Sequence, residues 1–126
     1  MKTWMQPALI EPGLHAAKAA ALARRITPDW QQQAACAASA EPDAWFPGPR
    51  ALRAELAVPL AICATCPVRR CCLAAGLLGS ERGIWGGTTE RERDTAADAL
   101  NAGARVDAVL DRLLTAPQAS TVGEVA

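Results

Sequence analysis

Four of the chain's five cysteines lie within ten residues, in the stretch CATCPVRRCC at 63–72, and the fifth, Cys36, lies 27 positions upstream. Thiolates are nucleophiles and soft metal ligands, so this grouping indicates metal or redox chemistry. An iron–sulfur cluster takes four thiolates, and it tolerates one distant cysteine beside a tight trio. The pattern of cysteines therefore favours an iron–sulfur site.

Other uses of the thiols stay open on spacing alone. Zinc sites usually combine two short knuckles, and only one C-x2-C pair, Cys63 and Cys66, is present. A redox dithiol of the thioredoxin type would require strands around this pair, and the sequence predicts none. Buried free cysteines are common singly, but unusual as a cluster. Spacing does not choose between Cys71 and Cys72, which lie about 100° apart on a helix.

The cellular compartment decides whether these thiols stay reduced or form disulfides. No secretory pattern opens the chain, and no apolar run approaches the roughly 20 residues of a membrane span. We therefore expect a cytoplasmic protein without a membrane partner, in which thiols stay reduced. The odd number of cysteines also argues against a disulfide framework.

Composition gives weaker limits. The 126 residues contain five aromatic side chains and no tyrosine, a small supply for a core, so a metal centre would help stability. Net charge is zero, but the region after Gly87 holds four arginines against seven carboxylates. No paired carboxylates lie near the cysteines, and the single histidine, His15, is remote from them. The sequence thus predicts no enzyme.

The elements that position the cysteines are predicted to be helices. Residues 12–26 indicate a first helix. Thr27-Pro28 predicts the start of a second helix, which ends near Ser39. This second helix carries Cys36, and its Trp30 is expected to pack in the core. Residues 51–58 indicate a third, broken near Pro59. Cys66-Pro67 predicts a fourth, from Pro67 to about Leu78, whose free N–H groups would face the thiolates.

Downstream, four glycines within 79–87 predict a turn. Thr89 and Glu92 form a capping-box pattern that opens a helix to about Asn101, with Gly103 as its stop. An apolar stripe at 106–114 indicates a last helix, which could fold back on the domain or pair with another helix. The last ten residues are expected to be a flexible tail.

Several stretches together resemble the WhiB-like family of bacterial transcriptional regulators over about residues 28–100. They are DWQQQAAC (29–36), PDAWFP (42–47), CATCPVRRCCLAA (63–75), GIWGG (83–87) and TERER (89–93). The resemblance implies an all-α fold, a small helical bundle wrapped around a 4Fe–4S cluster, with a glycine-rich tryptophan turn. With this resemblance, the chain is expected to divide into a helical N-terminal extension at 1–27, the WhiB-like iron–sulfur domain at 28–100, and a C-terminal helix and flexible tail at 101–126.

The resemblance implies that the ligands of the 4Fe–4S cluster are Cys36, Cys63, Cys66 and Cys72. Cys71 stands where relatives usually carry a polar or charged residue, so it is expected to be a non-ligand thiol. Members of the family bind the C-terminal domain of the primary sigma factor, and their cluster responds to nitric oxide or redox state. The residues implied for this contact are Trp45, Phe46, Pro47, Gly83, Trp85, Gly86 and Gly87.

Contact with promoter DNA is expected to be weak without the sigma factor. Arg91 and Arg93 are the only candidates near the turn, and they alternate with Glu90, Glu92 and Asp94 in what is predicted to be a solvated helix. Two alternatives to the regulator remain: a four-cysteine zinc-binding interaction module, and a protein disulfide reductase that cycles Cys63 and Cys66.

Overall fold

The computed structural model describes residues 13–38, 42–48, 51 and 53–115. Five α-helices occur in these ranges: α1 (Ala16–Ala23), α2 (Arg53–Ala64), α3 (Arg69–Gly79), α4 (Glu90–Asn101) and α5 (Val106–Thr115). Three 3₁₀ helices, Trp30–Gln33, Ala35–Ala38 and Pro42–Trp45, lie between α1 and α2. Within the described ranges the only β pairing is an isolated bridge between Trp85 and Thr88. The all-α prediction is confirmed.

The prediction of one helix from Pro28 to Ser39 is wrong. Asp29 adopts a left-handed conformation, and extended Ala34 separates two 3₁₀ helices. On a continuous α-helix, Trp30 and Cys36 would point about 120° apart. The break at Ala34 lets Trp30 enter the core, as predicted, while Cys36 reaches the other cysteines.

Two further helix boundaries differ from the prediction. Helix α2 continues through Pro59 to Ala64. Proline removes one main-chain hydrogen bond from a helix, and here the burial of Pro59 and Leu60 compensates for that loss. Helix α3 starts at Arg69 with Val68 as its N-cap, so Cys66 and Pro67 form the preceding turn and not the cap.

The C-terminal half follows its local signals. Thr89 and Glu92 form the predicted capping box, which opens α4, and Gly103 follows its end with a φ of 118°. Helix α5 folds back on the domain, which resolves the alternative left open by the sequence. The main core joins α1, α3, α4 and α5 through nine buried residues: Leu22, Leu73, Ala74, Leu77, Ala96, Leu100, Val106, Val109 and Leu110. The predicted flexible tail at 117–126 lies outside the described residues, as do residues 1–12.

A second, smaller core lies beside the cysteines. It contains Leu60, Cys63 and Ile84, with Trp45 and Leu56 packed against them. Helix α3 therefore connects a purely apolar core with the cysteine-containing one, because Leu73 belongs to the first and Cys72 faces the second. Among the described helices, none combines the length and apolar character required to cross a bilayer.

An ion-pair network fastens α5 to the rest of the fold. Asp107 accepts hydrogen bonds from Arg25 at 2.7 and 3.0 Å and from Arg70 at 3.1 Å, and Arg70 also pairs with Asp111 at 2.6 Å. The Arg25 hydrogen bond, helped by Arg70, lowers the pKa of Asp107 from 3.8 to about 2. Because the side chain is 48% exposed, water and salt screen the pair.

This network predicts a specific acid response. A carboxylate with a lowered pKa stabilises the fold above its unfolded pKa near 3.8, and that contribution is lost as pH falls towards about 2. Asp107→Asn should therefore lower the melting temperature at pH 6 and reduce its decline between pH 4 and pH 2. Thermal unfolding followed by circular dichroism measures both. Asp98→Asn, on an exposed site of α4, is the control, and an equal acid response in both variants would contradict the assignment.

Candidate metal centre

Four cysteines line one small cavity, and each lies in a different element of the chain. Cys36 lies on the second 3₁₀ helix, Cys63 near the end of α2, Cys66 in the turn that follows, and Cys72 on the first turn of α3. The remaining walls include Trp45, Ile62, Arg69, Ile84 and Gly86. These are the four cysteines that the resemblance names as ligands. The structure brings them together, but their ligation of a cluster stays a prediction.

Cys71 faces a different part of the molecule. Its sulfur lies 3.5 Å from the carbonyl oxygen of Arg25 and 3.6 Å from Oγ1 of Thr27, in the segment after α1. One residue further along α3, Cys72 turns into the cavity, because successive helical residues point about 100° apart. The structure thus separates the two adjacent thiols that spacing could not distinguish.

Burial keeps the thiols of Cys63 and Cys72 neutral at physiological pH when no metal is bound. Burial raises the pKa of Cys63 from 9.0 to about 11, against a main-chain hydrogen bond from Gly87 that lowers it. Burial likewise raises the pKa of Cys72 to about 12, against a main-chain hydrogen bond from Gly86. Because metal ligation requires thiolates, loading of this cavity would release protons.

The tryptophan turn lies directly over the cavity. Trp85 and Thr88 exchange main-chain hydrogen bonds at 3.0 and 3.1 Å, and Gly86 and Gly87 between them have φ values of 60° and 79°. Two consecutive positive φ angles define a type I′ turn, which favours glycine at both positions. The main-chain N–H groups of Gly86 and Gly87 lower the pKa values of Cys72 and Cys63, respectively. Such paired N–H groups favour anions.

Close packing also requires glycine in this region. A Cβ on Gly86 would lie 2.6–2.8 Å from Leu73, including its main chain. A Cβ on Gly76 of α3 would lie 2.8 Å from the Cβ of Trp85. The tryptophan itself is half-buried, its ring centroid is 6.3 Å from that of Trp30, and its Nε1 donates to the carbonyl of Arg82 at 2.9 Å. The turn is therefore held in one position against α3.

Two adjacent arginines of α3 have separate roles. Arg69 lines the cysteine cavity, and its Nε donates to the carbonyl of Gly86 at 2.9 Å. Arg70 points to α5, where it pairs with Asp107 and Asp111. The sequence left open whether these arginines are solvated or contribute positive charge to the thiolates. Arg69 does contribute it, since its charge lowers the pKa of Cys63.

Arg93 is not on a solvated face, contrary to the prediction for the run at 89–94. Its side chain is 3% exposed, and its guanidinium donates to the carbonyls of Glu81, Gly83 and Thr88 and to Oγ1 of Thr88. Burial lowers its pKa. A guanidinium held in this way cannot reach a phosphate, whereas Arg91 is exposed. Of the two DNA candidates, the geometry leaves Arg91.

Three of the seven residues predicted to contact a partner, Phe46, Pro47 and Gly83, line a groove of about 650 Å³ next to the turn. The other four, Trp45, Trp85, Gly86 and Gly87, do not line it, and Trp45 and Gly86 line the cysteine cavity instead. The walls of the groove include Phe46, Pro47, Leu56, Gly83, Ile84 and Arg91. Phe46 is 62% exposed, while Trp45 is half-buried against the smaller core. The carbonyl of Trp45 accepts from the N–H of Ile84 at 2.8 Å, which fixes the aromatic segment to the tryptophan turn. Groove and cysteine cavity thus share Ile84 as a wall.

The donor set of the cavity, four cysteine thiols, is one that an iron–sulfur cluster takes and that a four-cysteine zinc site also takes. In the described part of the chain, no three histidine, cysteine, aspartate or glutamate side chains are arranged to hold a metal ion. Zinc ligands lie about 2.0–2.3 Å from one centre, whereas each thiolate of a 4Fe–4S cluster binds its own iron. An anionic cluster requires thiolate ligands and groups of positive charge near them. The cavity offers four thiols, the main-chain N–H groups of Gly86 and Gly87, and the guanidinium of Arg69.

Comparison with known proteins identifies relatives of the central region. The model of the family described as Transcription factor WhiB matches residues 30–96, just over half of the chain. Transcriptional regulator WhiB2 of Mycobacterium tuberculosis H37Rv is 44% identical over 68 residues, which are 53% of this chain and 72% of the relative. Transcriptional regulator WhiB of Streptomyces coelicolor is 42% identical over 65 residues, 51% of this chain and 70% of the relative.

A third relative, transcriptional regulator WhiB2 of Mycolicibacterium smegmatis, is 45% identical over 65 residues. That alignment covers 51% of this chain and 47% of the relative, so the chain spans about half the length of that protein. No solved structure matches the chain. Because the family match includes all four cysteines of the cavity and the tryptophan turn above them, the chain belongs to the WhiB family of transcription factors.

Proposed function

We propose that this chain is a cytoplasmic, non-catalytic regulator of transcription that carries a 4Fe–4S cluster on Cys36, Cys63, Cys66 and Cys72. It docks on the C-terminal domain of the primary sigma factor, and loss or modification of the cluster switches that contact. The observation that carries the proposal is the shared cavity, which gathers these four cysteines and leaves Cys71 outside. The names of the relatives support the regulatory role.

The protein's own groups prepare the cavity for negative charge. Four thiolates around a 4Fe–4S core carry a net charge of about −2 in the oxidised form. The N–H groups of Gly86 and Gly87 and the guanidinium of Arg69 offset that charge. When bound, the cluster supplies iron that reacts with nitric oxide and exchanges single electrons.

The cavity as it stands measures about 20 Å³, which is room for about one water molecule. A four-iron cluster is larger, so the segments that carry the cysteines must move apart when it enters. Cys36 belongs to the segment suited to that movement, because it is exposed and lies on a four-residue 3₁₀ helix. The other three cysteines lie on or next to α2 and α3, which are packed into the two cores.

The groove beside the tryptophan turn is the proposed docking surface for the sigma factor. An exposed phenylalanine at the edge of a groove, here one with both apolar and charged walls, is a typical anchor of a protein interface. The hydrogen bond between Trp45 and Ile84 connects this edge to the cavity wall. A change at the cysteines can therefore reach the docking surface through Ile84, which is a wall of the cysteine cavity, and through its main-chain hydrogen bond to Trp45, the residue next to Phe46.

Promoter DNA is proposed to be reached mainly through the sigma factor. Helix α4 exposes Arg91 beside Glu90, Asp94 and Asp98, so its surface is net acidic. Phosphate contacts supply most non-specific affinity, and one exposed arginine among three carboxylates supplies little of it.

Anaerobic co-expression with the primary sigma factor tests the proposal. We expect a brown complex with broad absorption near 400 nm that contains iron and sulfide and elutes with the sigma factor. A colourless protein that contains zinc would support the interaction module. An ordered protein with neither metal would contradict every metal-based interpretation.

Substitution of Phe46 tests the docking surface separately from the cluster. Phe46→Ala should weaken co-elution with the sigma factor by at least tenfold in affinity, because interface aromatics contribute about 2 kcal/mol or more. Iron and sulfide content should stay unchanged, since Phe46 does not line the cysteine cavity. Val58→Ala is the matched control, because Val58 is 59% exposed on α2 and does not line the groove. Equal affinity of both variants would exclude Phe46 from the interface.

A further inference from the structure

Arg69 makes an unusual connection between the cysteine cavity and the tryptophan turn. It is the first residue of α3, and its Nε donates to the carbonyl of Gly86 at 2.9 Å. That carbonyl belongs to the peptide unit that joins Gly86 to Gly87. The N–H of the same peptide unit lowers the pKa of Cys63, and Gly86 and Cys63 are walls of the same cavity. One amide group therefore lies between a cation on one side and a cavity sulfur on the other.

A hydrogen bond at one end of an amide strengthens the hydrogen bond at its other end. Groups bonded in series polarise one another, and the effect is larger in a poorly hydrated site. A guanidinium is permanently charged and weakly hydrated, so it polarises a carbonyl more than a neutral donor would. Arg69 should thus make Gly87 a stronger N–H donor to Cys63 than an ordinary turn residue.

The guanidinium is also held in place. Its Nη1 donates to the carbonyl of Leu114 at 3.4 Å, near the end of α5. Its Nη2 lies only 2.8 Å from where a Cβ on Gly87 would stand, so the glycine makes the close approach of the guanidinium to the turn feasible. Helix α5 lies outside the family match of residues 30–96, yet it supplies one of the contacts that orient this arginine.

We propose that Arg69 is a positioning residue that polarises the Gly86–Gly87 peptide towards Cys63 and so raises the reduction potential of the bound cluster. The inference rests on the proposed function, because it requires a cluster on the four cysteines. One electron enters the cluster on reduction and increases its negative charge. Hydrogen bonds to the sulfurs and nearby positive charge stabilise that extra charge. No bond of the protein forms or breaks in this step.

An anaerobic redox titration with dithionite as the electron donor tests the inference on the full chain. Arg69→Gln should make the reduction equilibrium about tenfold less favourable, which is about 59 mV lower for a one-electron couple. Arg70→Gln is the matched control, since Arg70 is adjacent, has the same charge and, among the described residues, pairs with Asp107 and Asp111 of α5. The control should keep the wild-type potential.

Lysine variants keep the test decisive if Arg69→Gln does not retain the cluster. Lysine preserves the charge but replaces the rigid fork of donors, so Arg69→Lys should show a smaller decrease in potential, and Arg70→Lys should show none. Equal potentials for the Arg69 and Arg70 variants would overturn the inference while leaving the proposed function intact. Wild-type protein without iron and sulfide would instead contradict the proposed function itself.

Discussion

Replacement of Cys72 by alanine should abolish the iron–sulfur chromophore, whereas replacement of Cys71 should leave it intact. The two residues are adjacent and chemically identical, so the difference comes only from their direction on α3. The sulfur of Cys72 faces the cavity with Cys36, Cys63 and Cys66, and that of Cys71 faces Arg25 and Thr27. A 4Fe–4S cluster held by three thiolates lacks a ligand on one iron, and such clusters are readily lost.

The Cys72 variant should also lose stability, because metal binding energy is folding energy in a site that forms only in the folded chain. Iron and sulfide per chain, absorbance near 400 nm and far-ultraviolet circular dichroism of anaerobic protein measure both effects. Cys71→Ala is the internal control, with wild-type iron content and a small change in melting temperature. Similar loss of iron in both variants would show that the ligand assignment is wrong.

The same one-residue rotation explains what the sequence could and could not predict at the site. The resemblance named four cysteines, and the structure places those four in one cavity. Spacing alone could not separate Cys71 from Cys72, nor Arg69 from Arg70, since each pair consists of identical neighbours on α3. Their roles follow from the side of α3 that packs against the tryptophan turn and the side that packs against α1 and α5, which is tertiary information.

The predictions of helix boundaries divide in a similar way, into those that follow local signals and those that tertiary packing overturns. Capping at Thr89, the stop at Gly103 and the stripe of α5 are local signals, and the structure follows them. The proline signals at Pro28 and Pro59 failed, because packing of Trp30 and Leu60 outweighs the local preference. One missed feature had a usable signal. The buried face of α4 has the helical spacing i, i+3, i+7, at Arg93, Ala96 and Leu100. That spacing is visible in the sequence and indicates that Arg93 is buried despite its charge.

Replacement of this buried arginine by methionine should destabilise the domain more than any other single arginine change proposed. Methionine keeps much of the packing volume but removes the guanidinium that donates to the carbonyls of Glu81, Gly83 and Thr88. Buried acceptors without a donor cost about 1–3 kcal/mol each, so Arg93→Met should cost about 3 kcal/mol or more. For a domain of this size that corresponds to a decrease of roughly 12–24 °C in melting temperature.

The effect should be concentrated at the tryptophan turn, because in the described part of the chain all four hydrogen bonds of the Arg93 guanidinium end between residues 81 and 88. Loss of the tilted contact between Trp30 and Trp85 would reduce the near-ultraviolet circular dichroism of the folded protein. Arg91→Met, an exposed change two residues earlier on α4, should stay within about 0.5 kcal/mol of wild type. Equal melting temperatures of the Arg93→Met and Arg91→Met variants would contradict the prediction. They would mean that the carbonyls of the turn accept hydrogen bonds from other donors, and that Arg93 does not fix Trp85 above the cysteines.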